Sequence, residues 1–491
     1  MGIHDMKLIS TALALGLLAP LGNRLQEQPS LHQQDEAESY EELRERELGG
    51  MVTRLREHAE WCKKKKLWLQ RSLAYEALLQ FDPDDEGAHR GLGHKKLKDG
   101  SWVEGKRPKP IDRSKRDLEE AETRRKVISE PFVAALRGLY ERQKDELPIP
   151  LKERLIADVI AVDPENVWAR GLRLEVKHEG AWVMTEVAST AERREELVKF
   201  EVLTREELKP AAAKELTSLE SGLELTFTAA LESSGVRVVG TVKEEELQKC
   251  AENLRVVRTL LRETVGSKCA YSNGFTYFLL QNSSEQAVFL ANHPMVEDAD
   301  RAYYLALEHA TLSGAYHFGS WAASGPRRLD SACRQGIGNL LYHGHEITAE
   351  QGWVFEGVGL YFTNKVTRTN LTWFVAPSRY MSADDDTNFR AKLSSSKADW
   401  LEEARILLKE GKLPKFHSVV GRGVNRLSTE DLLLCNAVIA YFVEGRPGLL
   451  PKILKKLGRG RTAHETFLEE LGLDLLQFDE RLHRWLVETA D

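Results

Sequence analysis

The sequence predicts an α+β fold that is mostly helical. A helical, repeat-like module over residues 35–200 comes first, and a domain over 221–491 follows, with a small sheet and a helical C-terminal half. Three observations lead there. Charged residues make up 30% of the 491, with both signs interspersed, which suits long solvated helices better than a binding face. A helix–turn–helix pattern opened by Asp-Pro occurs twice in the first half. The second half carries an ordered series of short apolar runs and helical stretches, taken up last. The 42% apolar content is enough to bury real cores, and the length allows two or three domains. A net charge of −7 leaves no basic footprint, so nucleic acid is excluded as the expected partner.

The chain opens on an address. Lys7 precedes an apolar run of 14 residues, Leu8 to Leu21, too short to span a bilayer and shaped like a secretory signal. Residues 1–21 are expected to be that signal, which makes the protein exported, periplasmic or extracellular. No other stretch reaches 18 consecutive apolar residues, so no transmembrane span is expected in the mature chain.

Residues 35 to 70 are strongly charged, with helical spacing through Leu43, Leu48, Leu55 and Trp61. The repeat follows. Phe81-Asp-Pro-Asp-Asp-Glu-Gly-Ala88 leads to Asp99-Gly-Ser-Trp-Val103, and Val162-Asp-Pro-Glu-Asn-Val-Trp-Ala169 leads to Glu179-Gly-Ala-Trp-Val183. Asp82 and Asp163 lie 81 apart, whereas Trp102 and Trp182 lie 80 apart, so one residue is lost inside the second copy. An apolar helix precedes each copy: Leu73, Ala74, Ala77 and Leu78 in the first, Leu155, Ile156, Val159 and Ile160 in the second. The physical reading is a helix, a turn opened by Asp-Pro, a second helix with the Pro near its start, a Gly turn, and a Trp against the pair. This resembles the helix pairs of tetratricopeptide-type repeats. Two copies are fewer than a solenoid usually needs, and an irregular helical bundle remains the alternative. Lys106-Arg-Pro-Lys-Pro110 reads as a solvated connector. A charged helical bridge over 185–220, broken at Lys209-Pro, leads to the second domain.

In that domain, Ser331-Ala-Cys-Arg-Gln-Gly-Ile-Gly-Asn-Leu-Leu-Tyr342 is followed by Trp353-Val-Phe-Glu-Gly-Val-Gly-Leu-Tyr361. Trp353, Glu356, Gly357 and Tyr361 match the Trp-x-x-Glu-Gly-x-x-x-Tyr signature of the bacterial peptidase-MA-like gluzincins, metallopeptidases whose metal is zinc. The resemblance covers roughly 231–491. Val236–Val242 and the helix through Leu254, Val256, Val257, Leu260 and Leu261 look like the family's opening strand and helix. Phe275–Leu280 looks like its second strand, Leu427–Phe442 like the helix after the site, and Leu468–Asp474 with Phe478–Trp485 like its final helices. It implies helices around 297–312, 329–342 and 351–366.

A gluzincin carries His-Glu-x-x-His on the first site helix and a third ligand, a Glu, on the next. Glu356 matches that Glu. Counting back 22 residues, the first His position reads Arg334, the general-base position Gln335 and the second His position Gly338. Arg binds no metal, Gln takes no proton and Gly has no side chain. The resemblance thus implies a peptidase scaffold without catalytic residues, metal or cofactor. It also implies an Arg334–Glu356 pair at the vacated position, because a buried carboxylate needs a cation. Gly338 would leave room for the long side chain, and Gln335 would join the cluster.

Trp353, Tyr361, His309, His343 and His345 are the groove candidates. A rescue frame, His343-Gly-His345-Glu346, could grip zinc together with Glu356. Yet Ala349 stands four beyond His345, and Glu356 follows only 11 residues after it. Cys62, Cys250, Cys269, Cys333 and Cys435 lack zinc or redox spacing, and Cys250, Cys333 and Cys435 fall on apolar helical stretches that predict buried thiols. The function expected is that of an exported, non-catalytic peptidase-like protein with a protein or peptide partner. The alternative is an active zinc peptidase with a relocated site at His343, His345 and Glu356.

Overall fold

The structure, a computed structural model, describes residues 40–490 apart from 105–113, 208–209, 234, 267–273, 308, 313–316, 321–324 and 374–377. The expected signal segment, the 106–110 connector, the break at Lys209 and Cys269 lie outside the described residues. The described residues are about two-thirds helical with small sheets, consistent with the mostly helical α+β fold expected. Two compact units divide it, one through Asn166 and one from Val167 onward. This division does not coincide with the expected module end at 200 and domain start at 221.

The first unit is built from helices Tyr40–Lys65, Trp68–Phe81, Glu86–Leu92, Lys115–Gln143 and Ile149–Val162. Tyr40 and Arg44, at the start of the first, both donate to the buried Asp158 carboxylate on the last (3.0 and 2.6 Å). Each Asp-Pro turn is closed in the same way. The Asp82 N–H donates to the Leu78 carbonyl at 2.8 Å, and the Asp163 N–H to the Val159 carbonyl at 2.9 Å.

A hairpin follows each turn, which the sequence reading did not foresee: Lys95–Lys96 with Trp102–Val103 in the first unit, Glu175–His178 with Ala181–Met184 in the second. The Trp pairs with a Lys in both, Lys96↔Trp102 and Lys177↔Trp182. Each Trp ring also meets the residue at one shared repeat position: His89 stacks on Trp102 at 4.2 Å, and the Arg170 guanidinium lies over Trp182 at 5.5 Å. Both Trp are half-buried. The residue lost in the second copy is a turn residue. The first hairpin turns through Lys98-Asp99-Gly100, with only Gly100 at positive φ. The second turns through Glu179-Gly180, both at positive φ, the geometry of a two-residue turn.

In the second unit, six strands are ordered Ala211–Ala212, Ala229–Ser233, Val236–Gly240, Phe275–Leu279, His317–Ser320 and His309–Leu312. The two strands anticipated from the sequence are the central pair and run parallel. Parallel neighbours need a crossover, and helix Glu244–Thr264 supplies it. Val236, Val238, Tyr277 and Leu279 pack against that helix, while Val239 and Phe278 face Phe289 and Leu290 on the other side. The stretch expected as a helix over 297–312 divides instead: Asp298–Leu305 is helical, and His309–Leu312 pairs antiparallel with His317–Ser320 as the sheet's edge. The backbone of His309–Leu312 bonds across to its neighbour strand instead of along a helix.

Helix Thr185–Glu207 belongs to this unit. Its Thr190 accepts from the Trp485 indole at 2.9 Å, and Arg194 pairs with Glu444 at 2.7 Å. The C-terminal half is helical around Thr429–Ala440, every residue of which is buried. Such a helix, buried on all sides, has to be central. Phe416, Phe442, Phe467 and Phe478 pack edge-to-face and stacked beside it at 4.7–5.8 Å.

Candidate functional site

Helix Gly325–His345 and helix Gly352–Thr367 carry the residues that the sequence singled out. On the first, Ser331, Arg334, Gln335, Gly338, Asn339 and Tyr342 recur at spacings of three and one, which puts them on one face. Phe355, Glu356 and Gly359 face them from the second helix. Between the helices lies a cavity of about 350 Å3, lined also by Ile347, Thr348, Ala349 and Thr372. Tyr342, nearly half exposed, stands at its lip.

Arg334 and Glu356 meet at the base. Arg334 Nη2 donates to Glu356 Oε2, and Nη1 donates to the Glu356 backbone carbonyl at 3.3 Å. The guanidinium side chain is 6% exposed and the carboxylate 0%. The fork therefore spans a carboxylate oxygen and a carbonyl rather than both carboxylate oxygens, and Glu356 Oε1 is left with no hydrogen-bond partner. Gly338 does not make the room. A Cβ there would meet the Phe355 ring at 2.9 Å, whereas a Cβ on Gly359 would fall 2.2 Å from Arg334 Nη1. Gly359 is what admits the guanidinium. Gly357 serves packing, since a Cβ on it would lie 2.6 Å from the Cys435 carbonyl on the central helix.

Gln335 also departs from expectation. Its Oε1 accepts from the hydroxyl of Tyr277 on a central strand at 2.6 Å, and its Nε2 is buried without a partner. One turn before Arg334, the fully buried Asp330 accepts from the backbone N–H groups of Leu371 and Thr372 (2.9 and 3.0 Å) and ties that segment to the helix. Burial raises its carboxyl above the usual range, with those donors and Arg334 pulling the other way.

The other candidates scatter. Trp353 is core, edge-on to Phe416 at 5.0 Å and not in the cavity. Tyr361 is buried and donates to Glu444 at 2.8 Å beside a different cavity, which Arg194 and Lys365 also line. Neither is a groove residue, because the second helix is buried nearly all round and presents only Phe355, Glu356 and Gly359 to the cavity. His343 is largely exposed, and the partial burial of its ring lowers its pKa. His345 and Glu346 line a third cavity with Lys455 and Arg459, away from Glu356. The expectation for His309 as a groove residue lies outside the described side chains. Among the described residues, no three of His, Cys, Asp or Glu come together as a metal would need. Arg334, Gln335 and Gly338 supply no zinc donor set, and the one carboxylate present is bonded to a guanidinium.

The four described cysteines are free and buried. Burial pushes the Cys250, Cys333 and Cys435 thiols far above their ordinary value, which disfavours the thiolate. The residues that sequence reasoning missed are Tyr277, Phe355, Tyr342 and Gly359. Only Gly359, two beyond Gly357 in a helix otherwise rich in bulky residues, carried a signal. No helix among the described residues is long and apolar enough to cross a membrane. Compared with known protein families, curated proteins and solved structures, the chain matches none.

Proposed function

We propose that the second unit is a degenerate gluzincin-like domain, an exported pseudo-metallopeptidase that uses the cavity between its two site helices to bind a peptide rather than cleave it. One observation carries this reading. Arg334 and Glu356, at the positions where the resemblance expects the first and third zinc ligands, are bonded to each other at the base of a cavity. A guanidinium there neutralises the buried carboxylate and excludes a dication by charge. The parallel strand pair, crossover helix and two facing helices support the same reading by their order. The tetratricopeptide-like hairpins of the N-terminal half suit a protein partner.

Nothing among the described residues favours a relocated zinc site at His343, His345 and Glu356, since these line different places. The test is metal analysis of protein purified without chelators, together with peptide binding and hydrolysis. Expected are substoichiometric zinc, no cleavage, and binding that Tyr342→Arg at the lip abolishes. Zinc near one per chain, lost when His343 and His345 are changed and accompanied by cleavage, overturns the proposal.

A further inference from the structure

We infer that the cavity recognises a primary carboxamide, and this rests on the peptide-binding reading above. Two buried polar atoms on its lining residues have no partner, Glu356 Oε1 and Gln335 Nε2. One is an acceptor and the other a donor. Arg334 holds the other carboxylate oxygen of Glu356, and the Tyr277 hydroxyl donates to Gln335 Oε1, which leaves the amide nitrogen as the unused end. Buried groups of this kind are costly to leave unmade, and most buried polar groups in folded proteins are satisfied.

Charge narrows what can satisfy both. An amine would suit Glu356 Oε1 but would meet the Arg334 guanidinium, and it offers Gln335 no acceptor. A carboxylate would suit Gln335 Nε2 but would face the unpaired oxygen of Glu356. A hydroxyl answers one of the two well. A trans peptide group directs its N–H and C=O to opposite sides, whereas a primary carboxamide carries both on one edge. The neutral Arg334–Glu356 pair therefore selects a neutral ligand that both gives and accepts. Two sources offer one: an Asn or Gln side chain within a peptide, and an amidated peptide C-terminus. The apolar wall formed by Phe355, Ile347 and Ala349 would take the adjoining aliphatic carbons.

The experiment is calorimetric titration of the full chain with five probes. Four are N-acetyl Ala-X-Ala N-methylamides with X as Gln, Met, Glu or Lys, and the fifth is N-acetyl trialanine with a primary amide terminus. The Gln probe or the primary amide probe is expected to bind about tenfold tighter than the Met, Glu and Lys probes. Whichever of the two prevails identifies the source. Gln335→Glu keeps an acceptor for the Tyr277 hydroxyl while removing the N–H donor, and should erase that preference and raise the rank of the Lys probe. Gln335→Met, which keeps the volume, should erase the preference without the gain for Lys. If all five probes bind within about twofold of one another and Tyr342→Arg abolishes binding, the carboxamide inference falls and the peptide groove stands. If no probe binds, both fall.

Discussion

Glu186 and Glu356, two of the second unit's buried glutamates paired with arginine, are satisfied to different degrees. Glu186 accepts from Arg481 through both carboxylate oxygens (2.8 and 2.7 Å) and from the Tyr441 hydroxyl at 2.9 Å, with Arg446 at 3.4 Å. Glu356 has one guanidinium on one oxygen and nothing on the other. Both are 0% exposed. Glu186 ties helix Thr185–Glu207 to helix Leu475–Glu488, and every donor it needs is at hand. Glu356 sits at a cavity with half of its hydrogen bonding unmade. A carboxylate that only holds helices together has reason to be saturated, so an incomplete one that also lines a cavity marks a place where a ligand is to be sought.

Removing each arginine tests this difference most directly. Arg334→Ala leaves Glu356 with no donor and should cost roughly 3–5 kcal/mol in denaturant unfolding, most of it recovered when Glu356→Leu is added. Equal stability of single and double variants would break the comparison from the Glu356 side. Arg481→Ala leaves Glu186 its Tyr441 and Arg446 partners, so the loss should be smaller, about 1.5–3 kcal/mol for hydrogen bonds to a charged group. A cost above that of Arg334→Ala would mean the satisfied site is the more fragile. Gly359→Ala sets a methyl against the Arg334 guanidinium and should cost about 1 kcal/mol, as mild overpacking does. It should also loosen the pair, seen as a smaller further loss when Arg334→Ala is added to it.

The smallest effect is in acid. Burial works against ionisation of Glu186, but the Arg481 hydrogen bonds and charge outweigh it and hold the carboxyl below its usual range. A folded pKa below the unfolded one means that this stabilisation is fully present above the unfolded value near ~4.3 and is lost as pH falls through the lowered folded value. Unfolding free energy measured downward from pH 5 should therefore fall less steeply in Glu186→Gln than in the unchanged protein. Identical slopes would remove Glu186 from the acid limb.

Much of this was legible before any coordinates. The ordered resemblance to the gluzincin pattern led to helices around 329–342 and 351–366 and to the two central strands, and the structure has helices Gly325–His345 and Gly352–Thr367 there. The Asp-Pro turns were legible because Pro and Asp act locally. The hairpins after them were not, since two short strands of two to four residues carry almost no pattern. The edge strand His309–Leu312 was hidden for a related reason: only its partner strand makes it extended.

The site divides along the same line. That Arg334 stands 22 residues before Glu356, and that neither Gln335 nor Gly338 can replace a histidine ligand, follow from the chain alone. Which oxygen the guanidinium takes, that Gly359 rather than Gly338 admits it, that Tyr277 turns Gln335, and that Trp353 and Tyr361 look away from the cavity were decided by tertiary packing. Residue identity and spacing along a helix are local properties that sequence carries in full. The pairing of one buried atom with another depends on how closely two helices and a sheet approach, and that distance is set by the packing of the whole unit.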